Sequence, residues 1–225
     1  MSDTLRIALV GNPNCGKTSL FNHLTGSRQK VGNYAGVTVE RKVGNFTLPS
    51  GKPVRVLDLP GTYSLDATSP DEEITRNVVQ GKIAEEGQQD TFLCVVDATN
   101  LKLHLGLVLE MIQLGRPMLV VLNMMDEARR RGMQINTQKL SERLGVPVVE
   151  TVAVRTSGVE NLKNALDKNK FSAPQTELSG LNGDHHHQIA SILKDVVNYA
   201  DQEDKRTDFL DKIFLHPVLG LLSLA

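Results

Sequence analysis

Tryptophan is absent from this sequence of 225 residues, and aromatic residues in total make up only 4% of it. A chain so poor in stacking side chains has little with which to hold unpaired bases. An excess of charge of one sign is missing too. The 25 basic residues stand against 26 acidic ones, a formal net charge of −1, so no global positive field draws in a polyanion and no nucleic-acid partner is expected. Cysteine occurs only at Cys15 and Cys94, too seldom for a disulfide framework, and both read as free thiols of a reducing compartment. The first residues lack a signal-peptide pattern, because Asp3 and Arg6 interrupt it. Residues 213–225 carry no Lys, Arg, Asp or Glu. That stretch is too short to cross a bilayer, which takes ~20 residues. Its composition alone favours packing against the rest of the chain.

What the sequence does contain is the octapeptide Gly11-Asn12-Pro13-Asn14-Cys15-Gly16-Lys17-Thr18, set between a short apolar run (residues 5–10) and a helical pattern (residues 19–24). This is the G-x-x-x-x-G-K-[ST] phosphate loop in its strand–loop–helix context. Gly11 and Gly16 permit backbone angles that let N–H groups converge on phosphate oxygens. The helix that follows adds its positive dipole end. Gly11, Asn12, Pro13, Asn14, Cys15, Gly16, Lys17, Thr18 and Ser19 form the expected cradle. Lys17 reaches the terminal phosphates, and Thr18 places its hydroxyl on magnesium.

The rest of the chain alternates strand and helix patterns. Residues 26–36 read as a glycine-punctuated loop, and residues 39–48 and 53–59 as an antiparallel hairpin at a sheet edge. Helical periodicity covers 71–86, 101–114, 137–144 and 158–166; apolar strand runs cover 91–97, 117–122 and 146–154. The implied fold is α/β: a mostly parallel, doubly wound sheet with an antiparallel edge strand and ligands at the strands' carboxyl ends. Lys, Asn, Ser, Gly and Pro replace apolar periodicity over 168–184, which suggests two domains, 1–169 and 170–225. The second opens with an amphipathic helix over 188–200.

Two further signals lie at strand ends, Asp58-x-x-Gly61 and Asn123-x-x-Asp126. Asp58 is expected to hold magnesium through water. Gly61, having no side chain, lets its N–H approach a third phosphate. Asp126 accepts from both the ring N–H and the exocyclic amine of guanine, whereas adenine offers a bare acceptor and no amine there, so guanine is selected. Asn123 completes the base pocket and braces the phosphate loop. Thr38 is expected to close onto magnesium when the third phosphate is present.

At these residues the chain resembles the FeoB family of bacterial ferrous-iron transporters. The resemblance is carried by the phosphate loop, Gly36-Val37-Thr38-Val39-Glu40-Arg41, Asp58-Leu59-Pro60-Gly61-Thr62-Tyr63-Ser64-Leu65, Asn123-Met124-Met125-Asp126 and Leu215-His216-Pro217-Val218-Leu219-Gly220. It implies a P-loop GTPase domain at the cytoplasmic face of the inner membrane, joined by a small all-helical domain to a transmembrane permease beyond this sequence. Self-association and small accessory iron-transport proteins are implied as further partners. The uncharged tail then becomes the approach to a first membrane span. Gly36, Val37, Thr38 and Met124 join the nucleotide site by the same resemblance. So do Ala153, Val154 and Arg155, which stand where most such enzymes carry Ser-Ala-Lys and so suggest a looser base contact. Thr62 replaces a water-orienting glutamine, which implies slow hydrolysis. Asn14, with backbone carbonyls near Gly32 and Tyr34, is implied to hold a stimulating potassium ion.

The expected activity is slow, potassium-stimulated hydrolysis of GTP to GDP with magnesium, by Lys17, Asn14, Thr38 and Gly61, serving ferrous-iron transport. A soluble RNA- or ribosome-associated assembly GTPase is the alternative, and the missing basic module counts against it. An ATP-using enzyme rests on the phosphate loop alone. Residues 185–187, three consecutive histidines, read as a solvated helix start rather than a metal site, since adjacent side chains diverge on a helix. The arginines at 129–131 read as a solvated loop.

Overall fold

Apolar runs near the start and middle of the chain become the centre of a seven-stranded sheet. The structure, a computed structural model, describes residues 4–26, 29–152, 156–168, 173–174 and 185–199. Its strands are β1 (Leu5–Gly11), β2 (Gln29–Asn33), β3 (Glu40–Thr47), β4 (Pro53–Asp58), β5 (Thr91–Asp97), β6 (Met118–Asn123), β7 (Met133–Ile135), β8 (Val148–Glu150) and β9 (Val197–Tyr199). The helices are α1 (Lys17–Thr25), α2 (Pro70–Val79), α3 (Leu101–Gln113), α4 (Met125–Arg130), α5 (Thr137–Leu144), α6 (Thr156–Lys168) and α7 (His185–Val196). The main sheet runs in the order β2-β3-β4-β1-β5-β6-β8. Pairings among β4, β1, β5, β6 and β8 are parallel, while β2–β3 and β3–β4 are antiparallel.

Continuous apolar sequence in β1, β5 and β6 follows from burial on both faces. Successive side chains point to opposite faces, so each strand splits between two cores. Ala8, Val10, Phe92, Cys94, Val96, Val120 and Leu122 face the layer of α3, α5 and α7. Ile7, Leu9, Leu93, Val95, Leu119 and Val121 face α1 and α6, meeting Leu20, Phe21, Val159 and Leu162. The parallel strands thus all end on the same edge, where the phosphate loop, Asp58 and Asn123 emerge.

Several elements depart from the sequence expectation, and two of them, α4 and β7, stand where none was expected: Arg129 and Arg130, read as part of a solvated loop, lie in α4. The loop expected at 26–36 contains β2, which extends the antiparallel edge to two strands. All five β2 residues are exposed, so no burial pattern marks the strand in the sequence, and only its ladder to β3 holds it there. Helix α2 stops at Val79 rather than running to residue 86; Gly81 adopts a φ of 73°, a left-handed turn that ends it. Glu86 instead lies in the loop beyond, almost wholly buried between Arg41 and Arg55. The last sheet strand spans only Val148–Glu150 of the expected 146–154. The helix expected over 188–200 begins at His185 and gives way to β9, which pairs antiparallel with β7.

Ile189, Ile192 and Val196 of α7 are buried in the same cluster as α3 and α5. Each buried aliphatic side chain contributes about 2 kcal/mol. The described part of the C-terminal region therefore sits on the sheet's own helical layer. Among the described residues no helix is long and apolar enough to cross a membrane. The uncharged tail, most of the segment between α6 and α7, and residues 153–155 lie outside the described residues.

Candidate functional site

The phosphate loop leaves β1 at Gly11 and enters α1 at Lys17, and two left-handed residues shape it. Asn14 has a φ of 64° and Gly16 a φ of 85°. Asparagine tolerates that region better than most residues. At Gly16 there is no such choice: a Cβ would fall 2.2 Å from Asn123 Nδ2. That contact is the brace expected from sequence. Asn123 Nδ2 donates to the Cys15 carbonyl at 3.0 Å, and Thr151 Oγ1 donates to Asn123 Oδ1 at 3.4 Å. The end of β6 therefore clamps the loop that starts at the end of β1. Cys15 is buried beneath it, and burial pushes its thiol up to about 11, so it fills space as a neutral group. The Asn12 side chain is 2% exposed, and its Nδ2 has no partner among the described residues. A buried donor left over in an anion-binding loop suits a ligand rich in acceptor oxygens.

Asp58 closes the opposite wall. Its carboxylate pairs with the Lys17 ammonium and accepts from Thr18 Oγ1 at 3.1 Å. Lys17 and Asp58 are 8% and 5% exposed, so the two charges neutralise each other in a confined place. Asp58 and Thr18 together offer the hard oxygen donors that magnesium takes, and their proximity fits the expectation for that ion.

Gly61 lies against the phosphate loop, where a Cβ would come within 3.1 Å of Pro13 N. The next residue, Thr62, donates its amide to the Gly11 carbonyl at 3.1 Å. Its side chain is buried and turned into its own loop, donating to the Ser64 carbonyl and lying 3.3 Å from Glu72. It therefore has no part in orienting a water at the cleft.

Two adjoining clefts lie on this edge. The larger, about 620 Å³, is lined by Asn12, Pro13, Asn14, Gly16, Lys17, Thr18 and Ser19, with Gly61 and Met124 opposite. The smaller, about 220 Å³, is lined by Lys17, Thr18, Asp58 and Gly61 together with Val39, Glu40 and Lys42. Asp71 lines both and was not anticipated. Ser69, which caps α2 by accepting from Glu72 N, followed by Pro70, was the signal that a helix start lies there and so turns Asp71 towards the cleft.

Met124 reaches the cleft wall through a left-handed backbone, φ 60°, as the residue capping α4. Asp126 follows in the first turn of α4, half-buried, with one carboxylate oxygen accepting from Glu127 N at 3.0 Å. Gly36, Val37 and Thr38 are exposed and line neither cleft. Gly32 lies in β2. Tyr34 is buried; its amide donates to the Val39 carbonyl and its own carbonyl accepts from Val37 N. Of the expected potassium ligands, only Asn14 stands on the cleft. Ala153, Val154 and Arg155 fall outside the described residues. No group of three or more metal-ligating side chains occurs among the described residues; His185 meets Gln113 instead. Arg129 pairs with Glu150, and Arg130 and Arg131 with Glu127, so this basic run is charge-compensated.

Comparison with known proteins agrees with this geometry. Residues 5–166 match the N-terminal family model described as ferrous iron transport protein B. The Fe(2+) transporter FeoB of Escherichia coli K12 is 49% identical over 170 residues, which is 74% of this chain and 21% of that protein. The chain thus spans about a fifth of the length of the curated relatives it matches. The cytosolic domain of L. pneumophila FeoB superposes with a TM-score of 0.75 at 32% identity, covering 86% of this chain and 99% of that one. The GMPPNP form of the T. maritima FeoB cytosolic domain gives 0.70 at 31% identity, over 95% and 75% of the two chains. With the nucleotide-site motifs in place on one sheet edge and the family model covering most of its length, the chain belongs to the ferrous iron transport protein B family, as its N-terminal G-domain.

Proposed function

We propose that this chain binds guanine nucleotides with magnesium, hydrolyses GTP slowly to GDP and phosphate, and acts as the nucleotide-dependent switch of a ferrous-iron permease. The observation that carries the reading is the convergence of the phosphate loop, Asp58, Gly61 and Met124 on two adjoining clefts of one sheet edge, with Asn123 bracing the loop. A relative's structure described as a GMPPNP form supports the same ligand class. Magnesium, when bound, supplies positive charge between the phosphates, and Thr18, Asp58 and Thr38 are the residues that would hold it. Lys17 leaves its partner Asp58 to meet the phosphate oxygens, and the loop amides from Gly11 to Ser19 stabilise the charge that develops as the terminal phosphoryl group leaves. Gly61 presents its N–H to that group. Asp126 selects the purine, with Ala153, Val154 and Arg155 completing the base contact. Thr62, which stands where related enzymes carry a water-orienting glutamine, is turned into its own loop, and the slow rate follows from that.

Isothermal calorimetry on the magnesium-loaded chain tests the core of this. GDP and GMPPNP are expected to bind and the adenine counterparts not to, with Asp126→Asn moving preference to xanthine nucleotides. Equal affinity for adenine and guanine nucleotides would end the reading. The finer expectation is stimulation by potassium through Asn14, whose left-handed backbone sets it on the cleft rim. Because Gly32 and Tyr34 lie elsewhere here, that site requires the 32–38 segment to close. Hydrolysis should run faster in potassium than in sodium, and Asn14→Ala should abolish the difference.

The same reading places the chain at the cytoplasmic face of the inner membrane. Residues beyond 169 then form the helical link to a permease, with self-association and small accessory iron-transport proteins as partners. Iron uptake by a full-length protein carrying Asp126→Asn, assayed with each nucleotide, tests the link to transport. Uptake indifferent to that substitution would sever it.

A further inference from the structure

We propose that Glu110, on α3 and outside both clefts, is a positioning residue whose carboxylate holds the 62–65 loop so that the Gly61 amide is set for the third phosphate. The proposal rests on the guanine-nucleotide reading above. One carboxylate gathers two donors from a short stretch of chain. Ser64 Oγ shares its hydrogen bond between Glu110 Oε1 at 2.9 Å and Oε2 at 3.1 Å, and Leu65 N donates to Oε2 at 2.6 Å. Bonds to an ionised acceptor are roughly twice as strong as neutral ones. Upstream, Thr75 Oγ1 on α2 donates to the Pro60 carbonyl at 2.9 Å, and Thr62 N donates to Gly11 O at 3.1 Å. The segment is thus tied at Pro60 by α2, at Thr62 by the phosphate loop and at Ser64–Leu65 by α3. Gly61, which lines both clefts, sits between the first two ties.

Without Glu110 the tie at Ser64 Oγ and Leu65 N is lost, and the stretch around Tyr63, 51% exposed, is left to the burial of Leu65 and to the bond from Thr62 Oγ1 to the Ser64 carbonyl. Ordering the freed residues then costs conformational entropy, met by whichever ligand needs the loop in place. A triphosphate needs Gly61 and a diphosphate does not, so the cost falls on the triphosphate alone. Glu110 stands 46 residues from Ser64 in sequence, and as a lone carboxylate in an apolar helical pattern nothing local marks it.

The test compares GMPPNP and GDP binding to the 225-residue chain with magnesium, by calorimetry. Glu110→Leu should weaken GMPPNP about tenfold, the loss expected for hydrogen bonds to a charged group. GDP should stay within about twofold, and the KM for GTP should rise in step with the GMPPNP loss. Glu110→Gln, which keeps an acceptor at the same reach, should recover most of the loss. Ser64→Ala added to Glu110→Leu should cost nothing further. Equal losses for both nucleotides, no loss for either, or additive effects of the two substitutions would overturn the proposal. Amide exchange of the 62–66 segment in the nucleotide-free chain separates the two readings. Glu110→Leu should speed it, whatever the chain binds, and unchanged exchange would sink the latch alone. Failure of the unsubstituted chain to bind either guanine nucleotide would instead sink the guanine reading, and the latch's role with it. Should Glu110→Leu not fold, Glu110→Gln and Ser64→Ala carry the same comparison at smaller amplitude.

Discussion

Two regions beside each other on the sheet edge are built in opposite ways, the phosphate loop that lines the cleft and the antiparallel β2–β3 margin next to it. On the phosphate-loop side, Gly16 sits hard against Asn123, Asn123 holds the Cys15 carbonyl, and Gly11 receives the Thr62 amide. Three strand ends and a helix start over-determine each position there. On the other side, β2 is exposed along its whole length and pairs only with β3, and residues 36–38 are exposed as well. Beside the core residues Tyr34 and Val39, this side has a buried charge cluster at its base, where Arg41 of β3 and Arg55 of β4 both donate to Glu86. The difference teaches how a fixed phosphate grip and a loosely held flap can share one sheet edge. The grip gains affinity from preorganisation. A strand exposed along its length and held by one ladder has few contacts to keep it in place.

The comparison breaks most severely at Gly16. Gly16→Ala places a Cβ on Asn123 and strains a left-handed backbone, so it should destabilise the chain by about 4 kcal/mol and abolish nucleotide binding. Urea unfolding followed by far-UV dichroism measures the first effect and calorimetry the second. Glu86→Ala comes next. It strands two arginines around a buried site and should cost about 3 kcal/mol by the same assay, without touching the phosphate loop.

The cluster also predicts a pH dependence. Burial alone would raise the Glu86 carboxyl, but its hydrogen bonds and charge pairing with Arg41 and Arg55 more than offset that and hold it below the ordinary value. A carboxyl lowered in the folded state contributes stability above its unfolded value and loses it as pH falls through the folded one. The urea midpoint should therefore drop from about pH 4.5 downwards, and Glu86→Gln should remove that part of the slope. At Cys15 the effect is smaller and kinetic. With no exposure and a thiol pushed up to about 11, it should resist alkylation at mildly alkaline pH in the native chain and react only on unfolding, as read by mass spectrometry. The smallest effect belongs to the flap. Val31→Thr, at a residue 59% exposed, should change stability by no more than about 0.5 kcal/mol. A larger loss would show that the exposed strand is anchored by more than its ladder.

Much of the site was legible because its chemistry is local. A phosphate loop works through consecutive backbone amides, so the residues that form it must be adjacent in sequence, and Gly11 to Thr18 announce it. Asp58 and Asn123 were legible as strand-end residues because buried parallel strands are continuous apolar runs with visible ends. Asp71 and Glu110 were not. The position of each depends on how a helix lies against a loop: Ser69 and Pro70 mark the helix start beside Asp71 but not that it faces the cleft, and nothing local marks Glu110. The strand β2 was hidden for a related reason: a strand exposed on both faces has no alternation to read.

The sequence by itself determined the doubly wound sheet, the edge on which the cleft lies and the place of the phosphate-loop motif at the end of β1, because hydrophobic period and backbone-angle requirements are properties of short segments. Only the tertiary structure decided that α7 shares a core with α3 and α5, that Glu86 is buried between two arginines, and that Ser64 and Leu65 answer to Glu110. Those pairings join residues tens of positions apart, and the free energy that selects them comes from burial and charge complementarity that exist only once the chain has closed on itself.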